Sequence, residues 1–169
     1  NSSSTNFVMP ANNVVVTAIY TANSYSVIVN DGIGDGTYDY GTTVNITATA
    51  PTGYTFSSWT VVTGGVTLAN ASSSSTSFVM PDNAVEIIAE YTAIDYNVTV
   101  NGTNGTQIAS APDGNFNIGE TVTLSATPNA GYTFSNWTVN SGGVTLSSLT
   151  NPNATFTMPS NNVAITANY

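Results

Sequence analysis

Apolar and polar side chains alternate with a period of two along most of this chain. Tyr25, Val27 and Val29 are separated by Ser26 and Ile28, and Val44, Ile46 and Ala48 by Asn45 and Thr47. Val85, Ile87, Ala89 and Tyr91 alternate with Glu86, Ile88 and Glu90. Successive side chains of a strand point to opposite faces, so the pattern predicts strands with one buried face. β-Branched Val, Ile and Thr fill these segments, strong helix formers are scarce, and turn signals such as NDG, PTG, TGG and MPDN separate them. The expected fold is all-β, with five or six short strands per unit in a small sandwich or β-grasp-like sheet and no substantial helix.

The pattern repeats. GYTFSSWTV from Gly53 returns as GYTFSNWTV from Gly131, and GGVTL from Gly64 returns from Gly142, both 78 residues on. FVMPDNAVEIIAEY from Phe78 returns as FTMPSNNVAITANY from Phe156, and stands 71 residues earlier as FVMPANNVVVTAIY from Phe7. YSVIVN at Tyr25 and YNVTVN at Tyr96 are also 71 apart, so seven extra residues fall between Asn101 and Gly119, where a Gly- and Asn-rich stretch reads as a lengthened loop. Self-similarity of this kind marks a tandem array. The expected units are residues 23–93 and 94–169, preceded by residues 1–22, which are either the closing hairpin of a preceding repeat or a strand segment shared between subunits. Phe7, Val14, Val16 and Tyr20 are then the assembly residues.

Modules of about 70 residues are marginal and need every large side chain they have. Tyr54, Phe56 and Trp59, with their repeats Tyr132, Phe134 and Trp137, are therefore read as core anchors. Trp59 and Trp137 have sugar stacking as the competing role. Pro10, Pro81 and Pro159 lack an N–H and are expected to end one strand and set the turn into the last.

Composition then closes off chemistry. The 169 residues include nine Asp or Glu and no Lys, Arg, His or Cys. Nucleic-acid binding needs cations to displace counterions, and an anionic membrane surface repels a net charge of −9. Neither the usual zinc, iron–sulfur and haem ligands nor disulfides are available. A serine nucleophile lacks His or Lys as its base, and a Lys–Asn isopeptide brace is excluded. No apolar run reaches 18 residues, so no membrane insertion is expected. Without Lys or Arg, trypsin has nothing to cut, which suits exposure to outside proteases. No enzymatic activity is expected.

At YxVxV, at GETVTLSATPNAGYTFSNWT from Gly119 and at FTMPSNNVAITANY from Phe156, the chain resembles the divergent internalin B-repeat (Listeria–Bacteroides repeat) family of tandem extracellular β modules. The first copy departs slightly, with YGTTVNITATAPTGYTFSSWT from Tyr40. The resemblance implies a secreted or cell-surface stalk, spacer or adhesive element and transfers no catalytic residues.

Three candidate sites follow. Asp31, Asp35 and Asp39 in NDGIGDGTYDYG offer oxygens to calcium or form a plain acidic turn; the spacing does not match an EF-hand, and the longer second loop keeps only Asp113. Asn-x-Ser/Thr sequons at Asn45, Asn70, Asn97, Asn101, Asn104, Asn136 and Asn153, with one at Asn1, are glycosylation candidates, foremost the expected loop positions Asn101 and Asn104. The outward rows Thr43, Asn45, Thr47 and Thr121, Thr123, Ser125 present a regular surface for a glycan or are the solvated face of a sheet. Two functions compete: a structural subunit of an extracellular filament or stalk, self-associating or packed on neighbouring repeats, and an adhesin module binding glycan or protein.

Overall fold

The computed structural model describes residues 4–110 and 114–169. The first module carries β1 (Ser24–Asn30), β2 (Gly36–Asp39), β3 (Thr43–Thr47), β4 (Tyr54–Thr63), β5 (Ser75–Val79) and β6 (Val85–Ala93). The second carries β7 (Tyr96–Gly102), β8 (Gly105–Ala109), β9 (Asn115–Phe116), β10 (Thr121–Pro128), β11 (Asn136–Ser141), β12 (Asn153–Thr157) and β13 (Val163–Asn168). The fold is all-β, as the alternation predicts, and the described residues contain no helix.

Each module is two layers. In the first, a four-stranded sheet runs β2-β1-β6-β4, and β3 pairs with β5 in a second, two-stranded sheet. The first and last strands lie side by side in parallel, Val27 opposite Val85 and Val29 opposite Ile87, while the other pairs are antiparallel. The second module repeats this as β11-β13-β7-β9 over β12-β10-β8. The cores fill the space between layers. Val27, Val29, Val44, Ile46, Trp59 and Phe78 meet in one, and Val98, Val122, Leu124, Trp137, Phe156 and Ile165 in the other.

One expectation is corrected. The seven-residue insertion is not only a loop, because it carries β8, which pairs antiparallel with β10 from Leu124–Ala109 to Pro128–Gly105. The first module has a single bridge in that place, Ile33 opposite Thr47. The added length lets the chain run back along the edge and satisfy more backbone groups, so the second module has seven strands.

The repeated motifs now have structural roles. Trp59 and Trp137 are buried, and each indole N–H donates 2.9 Å to a carbonyl 14 residues on, Ser73 O and Asn151 O. That bond pins the loop containing GGVTL over the core. Phe56 stands 5.5 Å from Trp59 and edge-on to Tyr91, and Phe134 stands 5.3 Å from Trp137 and edge-on to Tyr169. Tyr54 and Tyr132 correct the expectation of core anchors: both are exposed although they share parity with Phe56 and Phe134, because they directly follow the turn glycines Gly53 and Gly131, at the end of the segment away from the core. Met80 and Met158, two residues after Phe78 and Phe156 and so on the same face, are fully buried instead. Their backbones close the sheet ends, Met80 N–H donating to Thr42 O and Met158 N–H to Glu120 O at 2.8 Å. β5 ends at Val79 and β12 at Thr157, just before Pro81 and Pro159. The GG pair is required by its backbone: Gly64 and Gly65 have φ of +95° and +62°, and Gly142 and Gly143 repeat these at +94° and +64°.

The closing tyrosines fasten the end of each module to the segment that follows its first strand, the β1–β2 turn in one and β8 in the other. Tyr91 OH donates 2.7 Å to Asp31 O, and Tyr169 OH donates 3.3 Å to Gln107 Oε1. Burial pushes the Tyr169 hydroxyl up from its ordinary value of 10.0. The neutral phenol is therefore the form the fold favours, so its contribution is fully present below about pH 10 and lost as pH rises through the raised folded-state value. The alkaline decline of the second module's melting temperature is expected to flatten in Tyr169→Phe, measured by circular dichroism between pH 8 and 11; an unchanged slope refutes it.

Candidate functional site

Nothing among the described residues gathers a reactive constellation. The three loop aspartates do not converge, and no three His, Cys, Asp or Glu side chains among the described residues come together as a metal site. Asp35 Oδ1 accepts from Val29 N–H at 2.9 Å, Asp39 Oδ1 accepts from Ser24 Oγ at 2.5 Å, and Asp31 sits at φ +58° as a turn residue whose carbonyl takes Tyr91 OH. Each of these carboxylate or carbonyl oxygens is thus engaged separately in shaping the turn. Asp113 and Asn1 lie outside the described residues.

The remaining sequon asparagines are all exposed. Asn104 takes φ +72° in the β7–β8 turn, but Asn101 lies within β7, not in a loop. Asn97 is committed to packing its own edge, donating to Gly114 O, and Asn136 Oδ1 accepts from Asn168 Nδ2 at 2.7 Å. The outward rows on β3 and β10 are placed as expected, with Thr43, Asn45, Thr47, Thr121 and Thr123 exposed and Ser125 half-buried. Trp59 and Trp137 offer no face to a sugar, since their rings are enclosed in the cores.

The strongest unsatisfied feature is the segment before the first module. Residues 4–22 form no strand and are exposed throughout. Phe7, Val14, Val16 and Tyr20 occupy the repeat positions of Phe78, Val85, Ile87 and Tyr91. Phe7 is 58% exposed where Phe78 is 3%, Val16 is 66% where Ile87 is 0%, and Tyr20 is 89%. The same side chains that make a core in both modules therefore stand in solvent here. Fully burying a side chain of this size is worth about 1.5–3 kcal/mol, so covering this segment would release roughly 10 kcal/mol before ordering costs.

A second feature joins the modules. Gly53, in the turn before β4, has φ +85° and is buried, and a Cβ there would overlap the Ile118 side chain of the second module. Gly53 O accepts Ile94 N–H at 2.8 Å. Asn117 Nδ2 donates to Asp95 Oδ1 at 2.9 Å and to Ile94 O at 3.3 Å. Sequence reasoning missed Ile118, although a large apolar residue before the turn glycine in both copies, Tyr40-Gly41 and Ile118-Gly119, is the signal that marks it.

A family model for the divergent InlB B-repeat domain matches three consecutive stretches, residues 1–24, 25–95 and 96–169. The chain belongs to the divergent InlB B-repeat family. No curated protein and no solved structure matches it. The B-repeats are generally extracellular surface modules, of a structural kind. The three matched stretches treat residues 1–24 as part of a B-repeat in their own right, next to two full copies.

Proposed function

We propose that this B-repeat chain is a structural segment of an extracellular filament or surface stalk, assembling head to tail, with the segment from Phe7 to Tyr20 docking on an adjoining copy. The observation that carries this reading is the exposed closing segment, whose apolar positions match those of two completed cores. Secretion accords with a composition free of Lys, Arg and Cys and with the family's general setting. Contacts between unlike surfaces propagate instead of closing, which suits a fibre.

Deletion of residues 1–22 tests it. The shortened chain keeps both modules, so its melting temperature is expected to stay within about 2 °C, an expected surface-type effect on stability. Filaments seen by electron microscopy with the full chain are expected to disappear. Filaments of unchanged length and number would remove the segment from the assembly.

A further inference from the structure

The two modules share a core but not an outer face. On the four-stranded sheet of the first, Ile28 of β1, Val62 of β4 and Ile88 of β6 lie away from the core, with Glu86 and Glu90 on either side of Ile88 along β6. Ile28 is 50% and Val62 47% exposed, and Ile88 is half-buried. Their repeat counterparts are Thr99, Asn140 and Thr166, and those of Glu86 and Glu90 are Ala164 and Asn168. Each apolar or charged side chain of one face is thus answered by a polar or small neutral one on the other.

The five side chains form one patch. Ile28 stands opposite Glu86 and diagonal to Ile88, which pairs with Asn30. Val62 sits at the bulge between the pairs Val61–Ile87 and Thr63–Glu86. In the second module the matching side chains bond to one another, Thr166 Oγ1 donating 2.8 Å to Asn140 Oδ1 and Asn168 Nδ2 donating 2.8 Å to Thr138 Oγ1. That face satisfies its own polar groups. Single apolar residues on a surface are ordinary, but here three gather where the same fold does without them.

The patch is not open because of an end of the array. The joint at Gly53 leaves Ile28 and Val62 open with a module following, and Thr99 and Asn140 open with a module preceding. A neighbouring repeat on either side therefore leaves this face clear.

We infer that the outer face of β1, β6 and β4 in the first module is a docking surface for a segment of another protein in which Lys or Arg alternates with apolar side chains. The apolar trio supplies burial, and Glu86 and Glu90 select the sign of the partner's charge. Asn30 Nδ2 donates 2.9 Å to Glu86 Oε1 and fixes that carboxylate within the patch. Six of the nine Asp and Glu residues lie in the first module, so its field is the more negative of the two. The chain has no Lys, Arg or His, so a second copy has no cation to set against these glutamates. Neither residues 7–20 nor assembly into a filament enters into this contact.

The test uses the full chain and a labelled short peptide of alternating Lys and Ile, read by fluorescence anisotropy. The peptide is expected to bind, and matched peptides of Lys with Ser or of Glu with Ile to bind about tenfold more weakly or worse. Giving the first module the residues of the second (Ile28→Thr, Val62→Asn, Glu86→Ala, Ile88→Thr and Glu90→Asn together) is expected to lower affinity by about tenfold or more. Its melting temperature is expected to hold, because the second module folds with that set. The reverse graft, Thr99→Ile, Asn140→Val, Ala164→Glu, Thr166→Ile and Asn168→Glu, is expected to add a second binding site. No binding of the Lys–Ile peptide, equal binding of the Lys–Ser peptide, or unchanged affinity in the five-residue variant overturns the inference. Self-association of the wild-type chain in sedimentation velocity that the five-residue variant abolishes assigns the face to a second copy, and overturns it too.

Discussion

Trp137→Ala is expected to unfold the second module at temperatures where the first stays folded. Trp137 is 2% exposed, is the largest side chain of its core, and pins the GGVTL loop through its indole N–H to Asn151 O at 2.9 Å. Truncating a buried Trp to Ala costs about 3–5 kcal/mol through lost burial and the cavity left behind. The acceptor at Asn151 loses its donor as well, although it lies near solvent and water can replace it. A module of about 75 residues commands only about 4–11 kcal/mol in total. In a domain of this size, each kcal/mol is worth about 4–8 °C, so the second module's transition should fall by roughly 15–30 °C. The design of the chain makes the readout clean, because it has two tryptophans and the variant leaves Trp59 as a fluorescent reporter of the first module alone. Far-ultraviolet circular dichroism should show two steps where fluorescence shows only the upper one. A single transition in which both modules fall together would show that they melt as one unit and that the Gly53–Ile118 contact couples them strongly.

Acid is expected to leave the modules folded and drive the chains together. Acid unfolding of ordinary proteins draws on positive charge that accumulates as carboxylates protonate. This chain has no Lys, Arg or His, so its side chains can reach zero charge but never a positive excess. No salt bridge between side chains exists to be broken, and the only buried polar side chain among the described residues, Thr76, is a hydroxyl that accepts from Asn70 N–H at 2.9 Å. The opposing effects are local: acid weakens the bonds that the Asp35, Asp39, Glu86, Asp95 and Glu120 carboxylates accept from Val29 N–H, Ser24 Oγ, Asn30 Nδ2, Asn117 Nδ2 and Asn117 N–H. Moving from pH 7 to pH 2.5 removes a net charge of −9 and with it the repulsion between copies. Melting temperatures at pH 2.5 should lie within a few degrees of those at pH 7, and sedimentation should show larger assemblies. Loss of the strand signal at pH 2.5 in dilute solution would refute the argument, since it would mean that these local carboxylate bonds outweigh the absence of charge repulsion.

Much of this molecule was legible before its folding was considered. Alternation at Val27–Val29, Val44–Ile46 and Val85–Ala89 marked strands and their buried faces, because side-chain direction in a strand depends only on residue parity. The recurrence of GYTFSxWT and of the closing segment from Phe7, Phe78 and Phe156 marked two modules and a third closing piece, since self-similarity needs no knowledge of pairing.

Contacts between distant parts of the chain were decided by tertiary structure. Nothing local says that β1 and β6, 58 residues apart from Val27 to Val85, lie parallel at the centre of one sheet. Parity could not separate Tyr54 from Phe56 in burial, because the two share parity and only the turn at Gly53 places Tyr54 at the exposed end of the strand. The insertion read as loop became β8 because β10 offered it a free edge, a property of the partner and not of the inserted residues. Burial of Phe78 and exposure of Phe7 show the limit most plainly. The two share one sequence pattern, and only the presence of pairing strands around the first makes it core.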